Sequence, residues 1–249
     1  MNFLLSVVVS ILSYGAVPND TTVNNACAIN KAIEECADKG GGTVEVPEGV
    51  FTTGSVFLHS GVTLKLDSGA VLLGSNRLDD YSSLKTTLDL SRYESGQGTV
   101  NYNSATDQQW SKAMIFGVGC TGAGIEGSGC IDGGDVRNAL GEEHMRGPHT
   151  IILAGCNDIK MSGFKVRRSA NYAFLAYLLQ KSAFSQLTIE GGWDGIHVRG
   201  CRDVTIDGCK ISTGDDAIAG GYWEKMNIRR CLLNSSCNGI RMIMPSVQL

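Results

Sequence analysis

The chain has 249 residues and a formal net charge of −4, with 43% apolar residues, 32 glycines and only 4 prolines. Such a weak negative charge gives no reason to expect nucleic acid or an anionic membrane as a partner. The high glycine and low proline content favours many short strands and turns, and it excludes a coiled coil or a disordered chain. The length suits one elongated repeat domain over residues 1–249.

The nine cysteines are spread along the chain without a CxxC pair. This spacing argues against a zinc or redox site, so we expect no metal and no cofactor. We interpret the cysteines as small buried thiols. A single disulfide remains an alternative.

Residues 3–12, FLLSVVVSIL, form the only long apolar run. The run is too short to span a membrane, and no Lys or Arg precedes it, so we interpret it as a strand rather than a secretory signal peptide. Next, Ala26, Ile29, Ile33 and Cys36 recur at helical spacing. They predict one amphipathic helix over about 24–39, which would cap the open end of a solenoid.

Short alternating runs between residues 43 and 74 (TVEV, SVFL, VTLKL and AVLL) predict strands separated by turns. Residues 75–112 break this rhythm, because they are polar and poor in β-branched residues. We interpret them as an excursion from the scaffold that forms one wall of a cleft.

Strand patterns resume at Ala113, and a repeat becomes countable after residue 150. Rows of 22 residues align Phe174, Ile196, Ile218 and Ile240 in one column. A 22-residue period with three short strand-like runs predicts a parallel β-solenoid, whose coils bury their apolar faces by stacking. The last row is incomplete, which leads us to expect further coils beyond this sequence.

Three carboxylates fall at matching positions of this repeat. Asp194 and Asp216 share a column with Asn238, and Asp215 stands in the column before it. Adjacent coils lie about 4.8 Å apart, so Asp194 and Asp216 are expected to stack, and their repulsion to raise at least one pKa. Either WDG or GDD alone is more often a turn, but their common register favours a functional site.

Strand alternation after each acid places Ile196 and Val198 inward, and it predicts His197, Arg199 and Arg241 on the outer surface. Such basic side chains beside clustered acids would suit a polyanionic sugar. Tyr222 and Trp223 follow the next strand segment and are candidates for stacking on a sugar ring, with packing in the core as the alternative.

These residues resemble glycoside hydrolase family 28, the polygalacturonase-like enzymes. The resemblance runs from SYGAV through the helix and strand segment at 24–75 and GIEGSGCIDGGD to the GDD coil. It implies an all-β, single-stranded right-handed parallel β-helix with coils of about 22 residues and an N-terminal capping helix. It also implies a secreted or periplasmic protein.

By the same resemblance, Asp215 matches the general acid, while Asp194 and Asp216 match the pair that activates water. The implied reaction is inverting hydrolysis of an α-linked galacturonide without a metal, and the implied partner is a polysaccharide acted on by a monomer. Asn238 stands where the family has the histidine of Gly-His-Gly, and Gly-Gly-Trp precedes Asp194 where the family has Asn-Thr. The family's Arg-Ile-Lys segment has no counterpart here.

The expected substrate-binding residues are His197, Arg199, Asn238, Arg241, Tyr222 and Trp223. Two other functions remain open at this stage. One is a non-catalytic carbohydrate-binding β-helix, and the other is a polysaccharide lyase that would use Arg199 or Arg241 as base and hold Ca²⁺ with the acids.

Overall fold

The structure is a computed structural model that describes residues 7–94 and 103–246. Within these ranges, all pairings between named strands are parallel. The strands are β1 (Val7–Ser10), β2 (Gly42–Val46), β3 (Gly49–Thr53), β4 (Val56–Leu58), β5 (Val62–Leu66), β6 (Ala70–Gly74), β7 (Ala113–Val118), β8 (Gly124–Gly127), β9 (Cys130–Asp132), β10 (His149–Ala154), β11 (Lys160–Ser162), β12 (Lys165–Arg167), β13 (Phe174–Ser185), β14 (Thr188–Glu190), β15 (Ile196–Asp207), β16 (Lys210–Thr213), β17 (Ile218–Arg229), β18 (Leu232–Ser235) and β19 (Ile240–Met242).

The strands wind into a right-handed parallel β-helix with three faces, which confirms the predicted fold class. The first face contains β1, β2, β5, β8, β11 and the second halves of β13, β15 and β17. The second face runs from β3 through β6, β9, β12, β14 and β16 to β18. The third contains β4, β7, β10, the first halves of the three long strands, and β19.

The 22-residue register is confirmed by the pairing of the third face. Phe174 pairs with Ile196, Ile196 with Ile218, and Ile218 with Ile240. The first three of these side chains are buried in the core that fills the coils. Residues just before each of these strands therefore stack at one corner of the β-helix.

The N-terminal end begins with a strand and a helix, as predicted. β1 pairs with β2, and a short 3-10 helix, Ile11–Tyr14, follows it; residues 3–6 of the predicted strand lie outside the described residues. The helix α1 (Ala26–Asp38) buries Ile29, Ala32, Ile33 and Cys36. It packs on the first strands and hydrogen-bonds the 52–57 segment, so it forms a cap at this end.

Residues between β6 and β7 leave the β-helix. The described parts, 75–94 and 103–112, contain only short 3-10 helices at Leu78–Asp80 and Ser91–Tyr93, whereas 95–102 of the predicted excursion lie outside the described residues. This excursion packs on the outer side of the third face. A second hydrophobic cluster holds the excursion and the third face together. Its members include Leu84, Leu90, Trp110, Phe116, Ile152, Tyr172, Leu175 and Tyr177.

All nine cysteines are free, and five of them are buried. The interpretation as small thiols therefore holds for most of them, while Cys27 and Cys237 are exposed. In the described part of the chain, no helix has the length and apolar character needed to cross a membrane.

Candidate active site

The three acids lie at the corner where the chain passes from the second face to the third. The backbone N–H of Gly195 donates to the carbonyl oxygen of Asp216 at 2.9 Å, and that of Asp215 donates to the carbonyl oxygen of Trp193 at 3.1 Å. Asp194 and Asp216 thus occupy stacked positions on adjacent coils, with Asp215 beside them. The structure brings the acids together in the register that the sequence predicts.

Asp215 is the accessible member of this group, with its side chain 26% exposed. Its backbone carbonyl accepts hydrogen bonds from the hydroxyls of Ser235, at 2.6 Å, and Thr213, at 3.1 Å. These two contacts fix the backbone of Asp215, and its carboxyl group remains accessible to a bound ligand.

Asp216 is buried, and its two carboxyl oxygens accept hydrogen bonds from two different residues. Asn238 Nδ2 donates to Oδ1 at 2.7 Å, and Arg241 Nη1 donates to Oδ2 at 3.2 Å. These two contacts fix the orientation of the Asp216 carboxyl group beside Asp194 and Asp215.

Asp194 is also buried, and its Oδ2 lies 2.5 Å from Nδ1 of His197. Burial, followed by the nearby charges of Asp215 and Asp216, raises the pKa of Asp194 to about 8. This agrees with the predicted rise, although burial contributes more than the repulsion that the sequence suggested. The group of three acids consequently keeps a proton at neutral pH.

Arg146, which sequence reasoning did not select, completes the site. Its guanidinium lies 4.0 Å from the centre of the Trp193 ring and donates to Asp215 Oδ2 at 3.3 Å. Two hydrogen bonds of 3.1 Å to Glu143 and the nearby Glu142 balance its charge. The sequence feature that could have identified Arg146 is its position just before β10, a strand of the third face. The three acids likewise precede strands of that face.

The prediction that His197 and Arg199 bind substrate on the outer surface is wrong. Both side chains point away from the coil interior, as the alternation predicts, but they are only 4% and 3% exposed. The excursion covers them: Arg199 donates to the carbonyl oxygen of Tyr93, and its guanidinium lies 5.3 Å from the centre of the Trp110 ring. Neither residue is available to bind a sugar directly.

Trp223 was also predicted to contact substrate, and this is wrong because the side chain lies in the core. Its Nε1–H donates to the carbonyl oxygen of Val198 at 2.8 Å. Tyr222 is half-buried; its ring meets Tyr93 edge-on at 5.5 Å, and Arg92 lies over it at 4.4 Å. The contacts of Tyr222 are thus with the excursion rather than with the carboxylates.

Asn238 and Arg241 remain as candidates for contacting substrate. Both are exposed residues whose side chains meet Asp216, and the Arg241 side chain is 54% exposed. Because Arg241 uses one nitrogen for Asp216, its other donors are available to an anionic ligand.

One group in the described part of the chain brings three potential metal ligands within 4.8 Å of one another, namely Asp215, Asp216 and Cys237. Both oxygens of Asp216 already accept hydrogen bonds from Asn238 and Arg241. Arg199 is also a poor candidate for the base of a calcium-dependent lyase, because it is buried and donates hydrogen bonds to two partners.

Comparison with known proteins identifies the family. The family model of Glycosyl hydrolases family 28 matches residues 36–240. The chain is 25% identical over 255 residues to an exo-poly-alpha-D-galacturonosidase of Dickeya chrysanthemi, covering 85% of this chain and 41% of that protein. It is 28% identical over 236 residues to a probable polygalacturonase of Vitis vinifera, covering 88% and 45%.

Among solved structures, the family 28 exopolygalacturonase of Yersinia enterocolitica superposes with a TM-score of 0.72 at 22% identity, covering 95% of this chain and 50% of that one. This similarity supports the fold. The chain spans less than half the length of the two curated relatives described above. Because the family model covers most of the sequence, the chain belongs to glycosyl hydrolases family 28.

Proposed function

We propose that this protein hydrolyses O-glycosidic bonds in a pectin-like polysaccharide that contains α-linked galacturonate, with inversion at the anomeric carbon. The observation that carries the proposal is the set of three carboxylates on adjacent coils in different environments. Asp215 is accessible, whereas Asp194 and Asp216 are buried and hydrogen-bonded. Inverting glycosidases use one acid and one base on opposite sides of the scissile bond.

Asp215 is the proposed general acid, because it alone of the three presents its carboxyl group to solvent. It would donate a proton to the glycosidic oxygen as the bond to the anomeric carbon breaks. Arg146 donates a hydrogen bond to Asp215 Oδ2, while Glu142 and Glu143 balance the charge of its guanidinium. Arg146 then serves to orient Asp215.

Asp216 and Asp194 are the proposed pair that activates the attacking water, with Asp216 as the base. Asp216 accepts the proton while Asn238 and Arg241 hold its carboxylate in place. Asp194 contributes a second oxygen on the neighbouring coil, and its raised pKa reflects burial first and the two neighbouring acids second. The water attacks the face of the sugar opposite the leaving oxygen, which inverts the configuration.

The preference for a uronate rests on Arg241. Its exposed guanidinium lies beside the acids and can pair with a substrate carboxylate. The names of the two similar curated proteins, a poly-galacturonosidase and a probable polygalacturonase, support the same substrate class.

The test is release of reducing ends from de-esterified polygalacturonate by the wild-type protein and by Asp215→Asn. We expect the variant to lose about 10²–10⁴-fold in kcat, as when a general acid is removed. Asp203→Asn is the matched control, because Asp203 lies on the outside of β15 and pairs only with Lys225 in the described contacts.

Arg241→Leu should raise KM for polygalacturonate more than for a neutral galactose polymer. Saturable glycan binding without turnover by the wild type would overturn the proposal in favour of a binding module. An ultraviolet-absorbing unsaturated product that requires calcium would overturn it in favour of a lyase.

A further inference from the structure

A continuous chain of hydrogen bonds runs from the excursion to Asp194. The carbonyl oxygen of Tyr93 accepts from Arg199 Nη1 at 3.1 Å, and Arg199 Nε donates to His197 Nε2 at 3.1 Å. His197 Nδ1 in turn lies 2.5 Å from Asp194 Oδ2. His197, Arg199 and Asp194 are all buried, so solvent does not compete for these bonds.

The direction of each bond follows from the chemistry of arginine. A guanidinium donates only, so His197 Nε2 must be the acceptor and the single ring proton of neutral His197 lies on Nδ1. That proton is donated to Asp194. Burial, followed by the charge of Arg199, holds the pKa of His197 well below its ordinary value, which keeps the ring neutral.

The ring of His197 is also fixed by packing. Tyr172 stacks on it with the ring centres 5.0 Å apart and the planes 6° from parallel. Arg199 is enclosed in the same way, with its guanidinium 5.9 Å from the centre of the Tyr177 ring and 5.3 Å from that of Trp110. The aromatic side chains of the second hydrophobic cluster therefore restrict the rotamers of both polar residues.

We propose that His197 and Arg199 are positioning residues for hydrolysis: Arg199, anchored on the Tyr93 carbonyl, selects the tautomer of His197 that orients Asp194 Oδ1 toward the attacking water. The proposal rests on the hydrolytic function proposed above. It also gives the excursion a role in the chemistry, because Tyr93 belongs to the 3-10 helix Ser91–Tyr93. Neither residue touches the substrate.

Kinetics of His197 variants distinguish positioning from a merely structural role. His197→Asn places an amide N–H near the position of Nδ1, whereas His197→Leu removes the donor. We expect His197→Leu to lower kcat on polygalacturonate by about 10–100-fold with KM within about two-fold, as for a misplaced catalytic group. His197→Asn should recover most of this loss. Equal losses in both variants would overturn the proposal.

A second measurement does not depend on activity. Long-range ¹⁵N–¹H correlation spectra of the labelled wild-type protein report the tautomer of each histidine, and the His197→Asn spectrum identifies the signals of His197. We expect a neutral ring with its proton on Nδ1 throughout pH 5–8, and a mixture of tautomers in Arg199→Met. A proton on Nε2 in the wild type would overturn the proposal even if hydrolysis is observed. The predicted tautomer without hydrolysis would instead count against the proposed function.

Discussion

At the scale of single residues, a buried carboxyl group of the site, Asp194, and one outside it, Asp132, have opposite effects on stability. Asp194 stands among other acids in a buried position, which raises its pKa to about 8. Burial alone would also raise the pKa of Asp132, but hydrogen bonds from Arg168 and from the backbone N–H of Gly134 outweigh burial and lower it. At neutral pH, Asp194 therefore lowers the free energy of unfolding, whereas Asp132 raises it.

For Asp194 the cost depends on pH in a definite direction. Below about pH 4 the carboxyl is protonated in both the folded and the unfolded chain, so it carries no penalty. Between about pH 4 and pH 8 only the folded chain keeps the proton, and stability falls as pH rises. We expect Asp194→Asn to stabilise the protein above this range, by on the order of a few kcal/mol, while abolishing most activity. Urea unfolding of both proteins at several pH values measures the difference.

Asp132→Asn is the control of opposite sign. Because the pKa of Asp132 is lowered in the folded chain, the stability that its carboxylate contributes is present above about pH 4 and is lost as pH falls. The variant should be less stable than the wild type at neutral pH and should approach it in acid. A destabilising effect of Asp194→Asn that does not change with pH would contradict this description of the site.

At the scale of elements, the coil-to-coil register controls how the three acids stack, and Gly195 is a position where this register is tightly constrained. A Cβ at Gly195 would lie 2.4 Å from the carbonyl oxygen of Ala217 and 2.6 Å from Ile211 Cγ2. Two coils thus approach closely next to Asp194 and Asp216. Only glycine permits this approach without a shift of the backbone.

Gly195→Ala should separate the stacked acids. We expect a loss of about 1–3 kcal/mol in the free energy of unfolding and a decrease in kcat of more than about 10-fold. Gly239→Ala, in the same column, is the matched control, since its Cβ would meet nothing closer than Leu233 Cβ at 3.9 Å. Equal effects of the two substitutions on kcat would argue against the constraint at Gly195.

The register was predictable because it depends on local sequence. Apolar residues repeat every 22 positions, and glycines mark the turns, so the stacking of Asp194 on Asp216 follows from counting. The cover over His197 and Arg199 was not predictable in this way. It depends on contacts between residues about 90 to 110 positions apart, such as Tyr93 with Arg199, which no repeat records.

At the scale of the whole molecule, the β-helix and its excursion have separate tasks. The coils stack Asp194, Asp215 and Asp216 at one corner, and the excursion buries the polar residues that follow Asp194 on the third face. The segment before β10 adds Arg146, which pairs with Asp215. This segment is joined to the excursion by the hydrogen bond from Trp110 Nε1 to Glu142, at 3.0 Å. The site is therefore assembled by three parts of the chain.

The most direct test of the central claim is the configuration of the first product. Proton NMR spectra recorded during the hydrolysis of a short α-linked galacturonide oligomer show which anomer forms before mutarotation. With Asp215 as acid and Asp216 and Asp194 activating water, the wild-type protein should release the β-anomer first, and Asp215→Asn should release almost none. An α-anomer as the first product, or undiminished release by Asp215→Asn, would contradict the account.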